Sequence, residues 1–188
     1  MDLNEDEKRE LLRIARSSIE STVRRLKPER LSSLPIPLQT PCGAFATLRI
    51  DKELRGCVGY VEGRFPLAQT VQEVASKAAT QDPRFFPISE LELDAVEIEI
   101  SVLSPLEKVQ NIQEIVIGKH GLVIESGYRR GLLLPQVAEE FHLDREQFLS
   151  HTAAKAGLPS DVWRQPGVQI YRFTVEKFSE SEFSVTSH

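Results

Sequence analysis

A cysteine sits in the run Leu54-Arg55-Gly56-Cys57-Val58-Gly59, bracketed by glycines and two residues after an arginine. Glycines beside a side chain let backbone or ligand approach closely. A nearby guanidinium favours thiolate, the nucleophilic and redox-active form of the sulfur. In an ideal strand Arg55 and Cys57 share a face, which puts the charge within reach of the thiol. The competing reading is a small cysteine buried in a tight sheet, and spacing alone favours it.

A base for such a nucleophile is offered by His120, in the turn Gly118-Lys119-His120-Gly121. Imidazole titrates near neutrality, and flanking glycines let a turn fold close to a cleft. Paired with Cys57 it would make a cysteine–histidine arrangement, with Asp82, Glu97 and Glu99 available to support it. A lone histidine in such a turn is otherwise a surface residue. The segment Asp82-Pro83-Arg84-Phe85-Phe86-Pro87 holds an arginine on a proline-stiffened turn. Its fork can take a carboxylate or phosphate, or be spent on an internal Asp82–Arg84 pair. Arg55, Gly56, Arg84 and Lys119 are the candidate contacts for a small anionic ligand. Tyr128-Arg129-Arg130 reads as a solvated loop.

The rest of the sequence narrows the chemistry. It contains no GxxxxGK[ST] phosphate loop, no GxGxxG after a strand, no HExxH and no GxSxG elbow. Cys42 and Cys57 do not make a disulfide framework, and with His120, His142, His151 and His188 they lack zinc spacing. No metal and no organic cofactor is implied by motif. The net charge is -5, from 28 acidic and 23 basic residues. The basic pairs Arg24-Arg25 and Arg129-Arg130 are too short to form a patch, so nucleic acid is disfavoured as a partner. The start Met1-Asp2-Leu3-Asn4-Glu5-Asp6-Glu7 has no signal-peptide character, and no apolar run approaches the roughly 20 residues of a membrane span. These features point to a soluble chain of the reducing cytoplasm, where a Cys42–Cys57 disulfide is not expected.

The elements that must hold these residues follow from periodicity. Asn4 to Lys27 reads as an amphipathic helix on Leu11, Ala15, Ile19 and Val23, capped by Asn4 with Glu7. Leu34 to Leu38 reads as extended because of its prolines. Gly43 to Ile50 and Glu53 to Val61 alternate as a hairpin around Asp51-Lys52. Pro66 to Ala79 is a helix burying Leu67, Val71, Val74, Ala75 and Ala78. Leu93 to Leu103 alternates as a strand. Leu122 to Glu125 and Leu132 to Leu134 are short strands around a loop at Gly127 to Gly131. Pro135 opens a helix, and Asp144 caps another that ends at Gly157. Val168 to Phe178 is a last strand before a polar tail from about residue 179. Hairpin and meander pairings dominate, so the class is α+β, a mainly antiparallel sheet packed with helices.

In that order the motifs resemble a known family. Leu54-Arg55-Gly56-Cys57-Val58-Gly59 is similar to the hallmark of the AMMECR family, whose prokaryotic members are called AmmeMemoRadiSam system protein A. The resemblance continues through Asp82-Pro83-Arg84-Phe85, Gly118-Lys119-His120-Gly121-Leu122, Gly131-Leu132-Leu133-Leu134-Pro135-Gln136-Val137-Ala138, and Lys155-Ala156-Gly157-Leu158 ahead of Trp163. It implies a single AMMECR-type domain over residues 1–188, in two lobes with a cleft between them near Cys57. It also implies partnership with a radical SAM protein and a Memo-like protein. It carries no established activity. His142-Leu143 and Thr152 stand where members often have tryptophan and cysteine, and both are packing positions. Two functions follow as expectations. One is an enzyme or enzyme accessory using Cys57 and His120. The other is a non-catalytic binding or scaffold module for a peptide, small anion or partner protein.

Overall fold

The computed structural model describes residues 2–183. The chain divides into two compact units. One is built from the chain up to Leu103 together with the residues from Glu176 onward, the other from Ser104–Val175. The expected α+β class holds, since antiparallel ladders carry helices on them.

The first unit opens with α1 (Glu5–Val23). The Asn4 side chain accepts the Glu7 N–H at 2.9 Å, and the Glu7 carboxylate accepts the Asn4 N–H at 2.8 Å. This reciprocal cap satisfies donors that a helix start otherwise leaves open. The helix stops short of Lys27, where Arg25 turns to a left-handed φ of 57°. The proline segment expected to be extended contains a short helix instead, α2 (Ile36–Gln39), with Leu38 buried. Pro35 sits at its N-cap and Pro37 in its first turn, where a missing N–H breaks no helical bond.

Strands β1 (Ala44–Ile50) and β2 (Glu53–Tyr60) form the expected hairpin. Asp51 and Lys52 at its turn have φ values of 52° and 70°, the conformation that matches strand twist in a tight hairpin. Helix α3 (Leu67–Thr80) buries the expected stripe Leu67, Val71, Val74, Ala75 and Ala78. Strand β3 (Glu97–Leu103) is shorter than its sequence pattern, because Glu90–Ala95 winds into a 3-10 turn capped by Ser89 and Glu92. β1 lies between β2 and β3. Ala44, Ala46 and Leu48 join Ile98, Ile100 and the buried faces of α1 and α3 in one apolar core.

The hairpin register is not regular. Ile50 pairs with Glu53 and Arg49 with Leu54, but Leu48 pairs with Gly56 and Thr47 with Cys57. Arg55 is therefore the extra residue of a β-bulge. Without it, Cys57 would oppose Ala46 on the helix-covered face. A one-residue slip exchanges the faces of a strand, so the bulge sends Gly56 towards α3 and Cys57 to the opposite face. A Cβ on Gly56 would stand 2.2 Å from the Ala78 carbonyl oxygen, so only glycine fits beneath α3 there.

The second unit holds β4 (Glu107–Lys108), β5 (His120–Ser126) and β6 (Arg129–Leu133). The expected loop at 127–131 is reduced to a turn at Gly127-Tyr128, and Arg129 to Gly131 continue as strand paired with β5. Helices α4 (Pro135–Glu140) and α5 (Arg145–Lys155) follow, the latter capped by Asp144 and Gln147 as its sequence predicts. Gly157 ends it at φ 68°. Phe148, Leu149 and Ala153 of α5 pack with Leu122, Ile124 and Ile170 in a second core. Thr152 is fully buried and its hydroxyl donates to the Phe148 carbonyl at 2.7 Å, which fits a packing role. Strand β7 (Gln169–Ser179) pairs with β5 and β4 over its first part. Its last residues lie beside β3 within the first unit. The expected tail starts as a short helix, α6 (Glu180–Phe183), and residues 184–188 lie outside the described residues. Among the described residues no helix is long and apolar enough to cross a membrane.

Gly56→Ala is expected to cost about 1–3 kcal/mol of stability through overpacking, read as a lower urea midpoint at unchanged slope. A midpoint equal to the wild type would show that α3 does not press on β2.

Candidate functional site

Asp82 follows the Gln81 cap of α3 and turns its carboxylate onto β2. Its Oδ2 accepts the Cys57 N–H at 2.8 Å. β2 ends the strand order, so this carboxylate supplies an edge N–H with the acceptor that no further strand provides. The Asp82 side chain is only 2% exposed and is fully engaged. Its Oδ1 also accepts the Arg84 N–H at 3.1 Å and Nε at 3.0 Å, while Oδ2 accepts Nη2 at 2.7 Å. The Arg84 guanidinium foremost, then the Cys57 and Arg84 N–H groups, hold the Asp82 carboxyl well below the usual carboxylate range against the opposing effect of burial. Arg84 is stabilised as a cation chiefly by Asp82. The Arg84 side chain remains 55% exposed and lies over the Phe85 ring at 5.4 Å.

Arg55 leaves the strand at the bulge. Its Nε and Nη2 donate to Glu92 at 2.9 and 3.3 Å, and Nη1 donates to the Phe86 carbonyl at 2.7 Å. A longer bond of 3.4 Å runs to the Pro87 carbonyl. Arg55 first, then the Ser89 N–H, pulls Glu92 down to about 2. The fork expected to meet a ligand is thus committed to the segment after Asp82. Two motifs, Arg55 to Cys57 and Asp82 to Pro87, form one clamp with Glu92 as its third corner.

On the face opposite the helices, Cys57, Thr47 and Glu99 are in register across β2, β1 and β3. Thr47 Oγ1 lies 3.4 Å from Cys57 Sγ, and Glu99 pairs with Lys177 at 2.9 Å. Neither Cys42 nor Cys57 is in a disulfide. Cys42 is buried, and burial pushes its thiol up; Cys57 is partly exposed. Glu97 lines a cavity of about 630 Å³ with Arg9, Arg16 and Glu180. A second cavity, about 460 Å³, lies between residues 31–34 and the start of α3.

His120 and Lys119 belong to the second unit. His120 Nδ1 accepts the Val116 N–H at 3.0 Å, closing the turn that carries Lys119. Burial foremost, then Arg172 and Lys119, pushes the imidazole down, against smaller upward effects of Glu107 and the Glu114 carbonyl. A ring whose Nδ1 is an acceptor carries its proton on Nε2, so it is set as a neutral turn cap rather than as a free base. The first unit therefore brings together Arg55, Gly56, Cys57, Asp82 and Arg84, with Glu99 on the thiol's row. His120 and Lys119 are held in the other. Among the described residues no three of His, Cys, Asp or Glu cluster as a metal site would need. Sequence reading missed Thr47, Glu92 and Lys177. Counting back from Asp51-Lys52 finds Thr47 only once the bulge is known.

A family model described as AMMECR1 matches residues 12–178. The chain belongs to the AMMECR1 family. Among its relatives, protein MJ0810 of Methanocaldococcus jannaschii is 44% identical over 160 residues, covering 81% of this chain and 80% of that protein. A protein of Methanothermobacter thermautotrophicus is 44% identical over 185 residues, covering 95% and 96%. The crystal structure of the uncharacterised protein PH0010 from Pyrococcus horikoshii superposes with a TM-score of 0.82 at 35% identity, covering 95% of this chain and 93% of that one. In this AMMECR1-family chain the hallmark run is the bulged edge strand, and its second motif is the turn that caps it.

Because the folded Asp82 pKa is depressed, its stabilisation is complete above the unfolded value, about 3.9, and is lost as pH falls below that value towards the folded one. Asp82→Ala is expected to lose about 1–3 kcal/mol at pH 7, and its stability should fall less steeply than the wild type's between about pH 4 and 2. Parallel acid-unfolding curves for the two proteins would contradict this.

Proposed function

We propose that this AMMECR1-family chain is an enzyme or enzyme accessory whose working group is the Cys57 thiol, acting beside a radical SAM protein and a Memo-like protein. The contrast between its two cysteines carries the reading. Cys42 is sealed in the core, whereas Cys57 stands partly exposed on the face the bulge selects, beside Thr47. Its backbone N–H is tied to Asp82, so the sulfur is carried on a fixed support. Fixed placement of a reactive group is what catalysis or transfer requires of a scaffold. The partner proteins rest on the motif resemblance to the prokaryotic members.

The alternative, a binding module, is narrowed by the state of the arginines. Arg55 is spent on Glu92 and Arg84 is paired with Asp82, so an anion would have to displace an internal partner. That argues against a small-anion site at the clamp and leaves a protein partner as the second reading.

Iodoacetamide labelling followed by peptide mass mapping tests the thiol. Cys57 should be alkylated well before Cys42. Equal labelling of both cysteines would remove the basis for a thiol function. In an assay with both partner proteins, Cys57→Ser should abolish the output that Arg84→Ala only reduces.

A further inference from the structure

We propose that Phe86 and Leu91 form a docking surface for a partner protein segment that presents an apolar anchor flanked by lysine or arginine. This surface is separate from the thiol chemistry and does not depend on it.

Phe86 is 89% exposed and Leu91 is 96% exposed. A large apolar side chain left almost wholly in water is ordinary when isolated, and informative when a second is displayed by the same rigid support. Here the support is one guanidinium. Arg55 holds the Phe86 carbonyl at 2.7 Å and the Glu92 carboxylate at 2.9 Å, which ties Phe86 to the residue next to Leu91. The Ile88 N–H donates to the Ala79 carbonyl at 2.8 Å, and buried Ile88 and Leu93 anchor the segment to the core. The two exposed side chains therefore project from a loop fixed at several points. Such preorganisation lowers the ordering cost of association.

Charge decides what fits there. Arg84 is neutralised by Asp82, and Glu92 by Arg55. Exposed Glu90 and Asp94 flank Leu91 on the same 3-10 turn, and among the described residues neither forms an ion pair. Asp94 also borders the cavity that contains Arg9 and Arg16, but those arginines are directed to Glu5 and Glu180. The two exposed apolar side chains are thus accompanied by unpaired acidic groups beside Leu91. That complements a basic amphipathic segment and repels an anionic membrane surface.

The probe is a fluorescein-labelled amphipathic helix of leucine and lysine, with a leucine–glutamate helix as its counterpart, read by fluorescence anisotropy against the full chain. The lysine peptide should bind and the glutamate peptide should not. Phe86→Ser with Leu91→Ser should weaken binding by at least about tenfold, and Glu90→Lys with Asp94→Lys should do the same. All four side chains are exposed, and unchanged melting temperatures will show that the variants fold. Equal binding of the two peptides, no binding of the lysine peptide, or undiminished binding by both double variants would overturn the proposal. So would binding to phosphatidylglycerol vesicles that Phe86→Ser with Leu91→Ser abolishes. Self-association of the wild type, lost in that same variant by sedimentation, would overturn it in favour of a second copy of the chain.

Discussion

The Asp82 carboxylate and the Cys57 N–H make the contact on which the first unit's edge depends. An edge strand presents unpaired donors to solvent and to other chains. Here the donor is met by a side chain 25 residues later in sequence, itself buried and held ionised by Arg84. One carboxylate therefore completes β2, holds the segment after α3 and pairs with Arg84. Arg55 makes the reciprocal connection, reaching from β2 to Phe86 and Glu92. Two short motifs far apart in the chain are thus each other's missing hydrogen-bond partners.

The bulge at Arg55 decides which face each neighbouring side chain takes. It places glycine under α3, where the Ala78 backbone leaves no room for a side chain, and in doing so turns Cys57 to the other face. Gly59 follows the same logic on the thiol's side, because the Phe45 ring lies over it and a Cβ there would meet that ring at 2.2 Å. Leu54 to Gly59 is accordingly a packing solution first. The partial exposure of Cys57 is a consequence of where that solution leaves the sulfur.

Much of the fold was legible in the sequence. Asn4 with Glu7 and Asp144 with Gln147 are local caps whose partners lie three residues away, so pattern alone finds them. The stripe from Leu67 to Ala78 and the turn at Asp51-Lys52 are equally local. The errors arose where tertiary context decides. Alternation from Leu93 suggested an early strand, but Ser89 and Glu92 cap a 3-10 turn that consumes Glu90–Ala95. Prolines at 35 and 37 suggested an extended chain, yet both sit where a helix start tolerates them. The clamp was only half visible. An Asp82–Arg84 pair is readable from adjacency, whereas the Cys57 N–H and Glu92 contacts join distant segments. His120 carried the right residue type for a base, but the Val116 N–H that occupies its Nδ1 belongs to the backbone.

Hydrogen exchange at the Cys57 amide, resolved by NMR, addresses the central contact directly. The account predicts that this edge-strand amide exchanges as slowly as the paired amides of β1. It also predicts that in Asp82→Ala it becomes fast while the β1 amides stay protected. Fast exchange at Cys57 in the wild type, or slow exchange that survives the loss of Asp82, would contradict it.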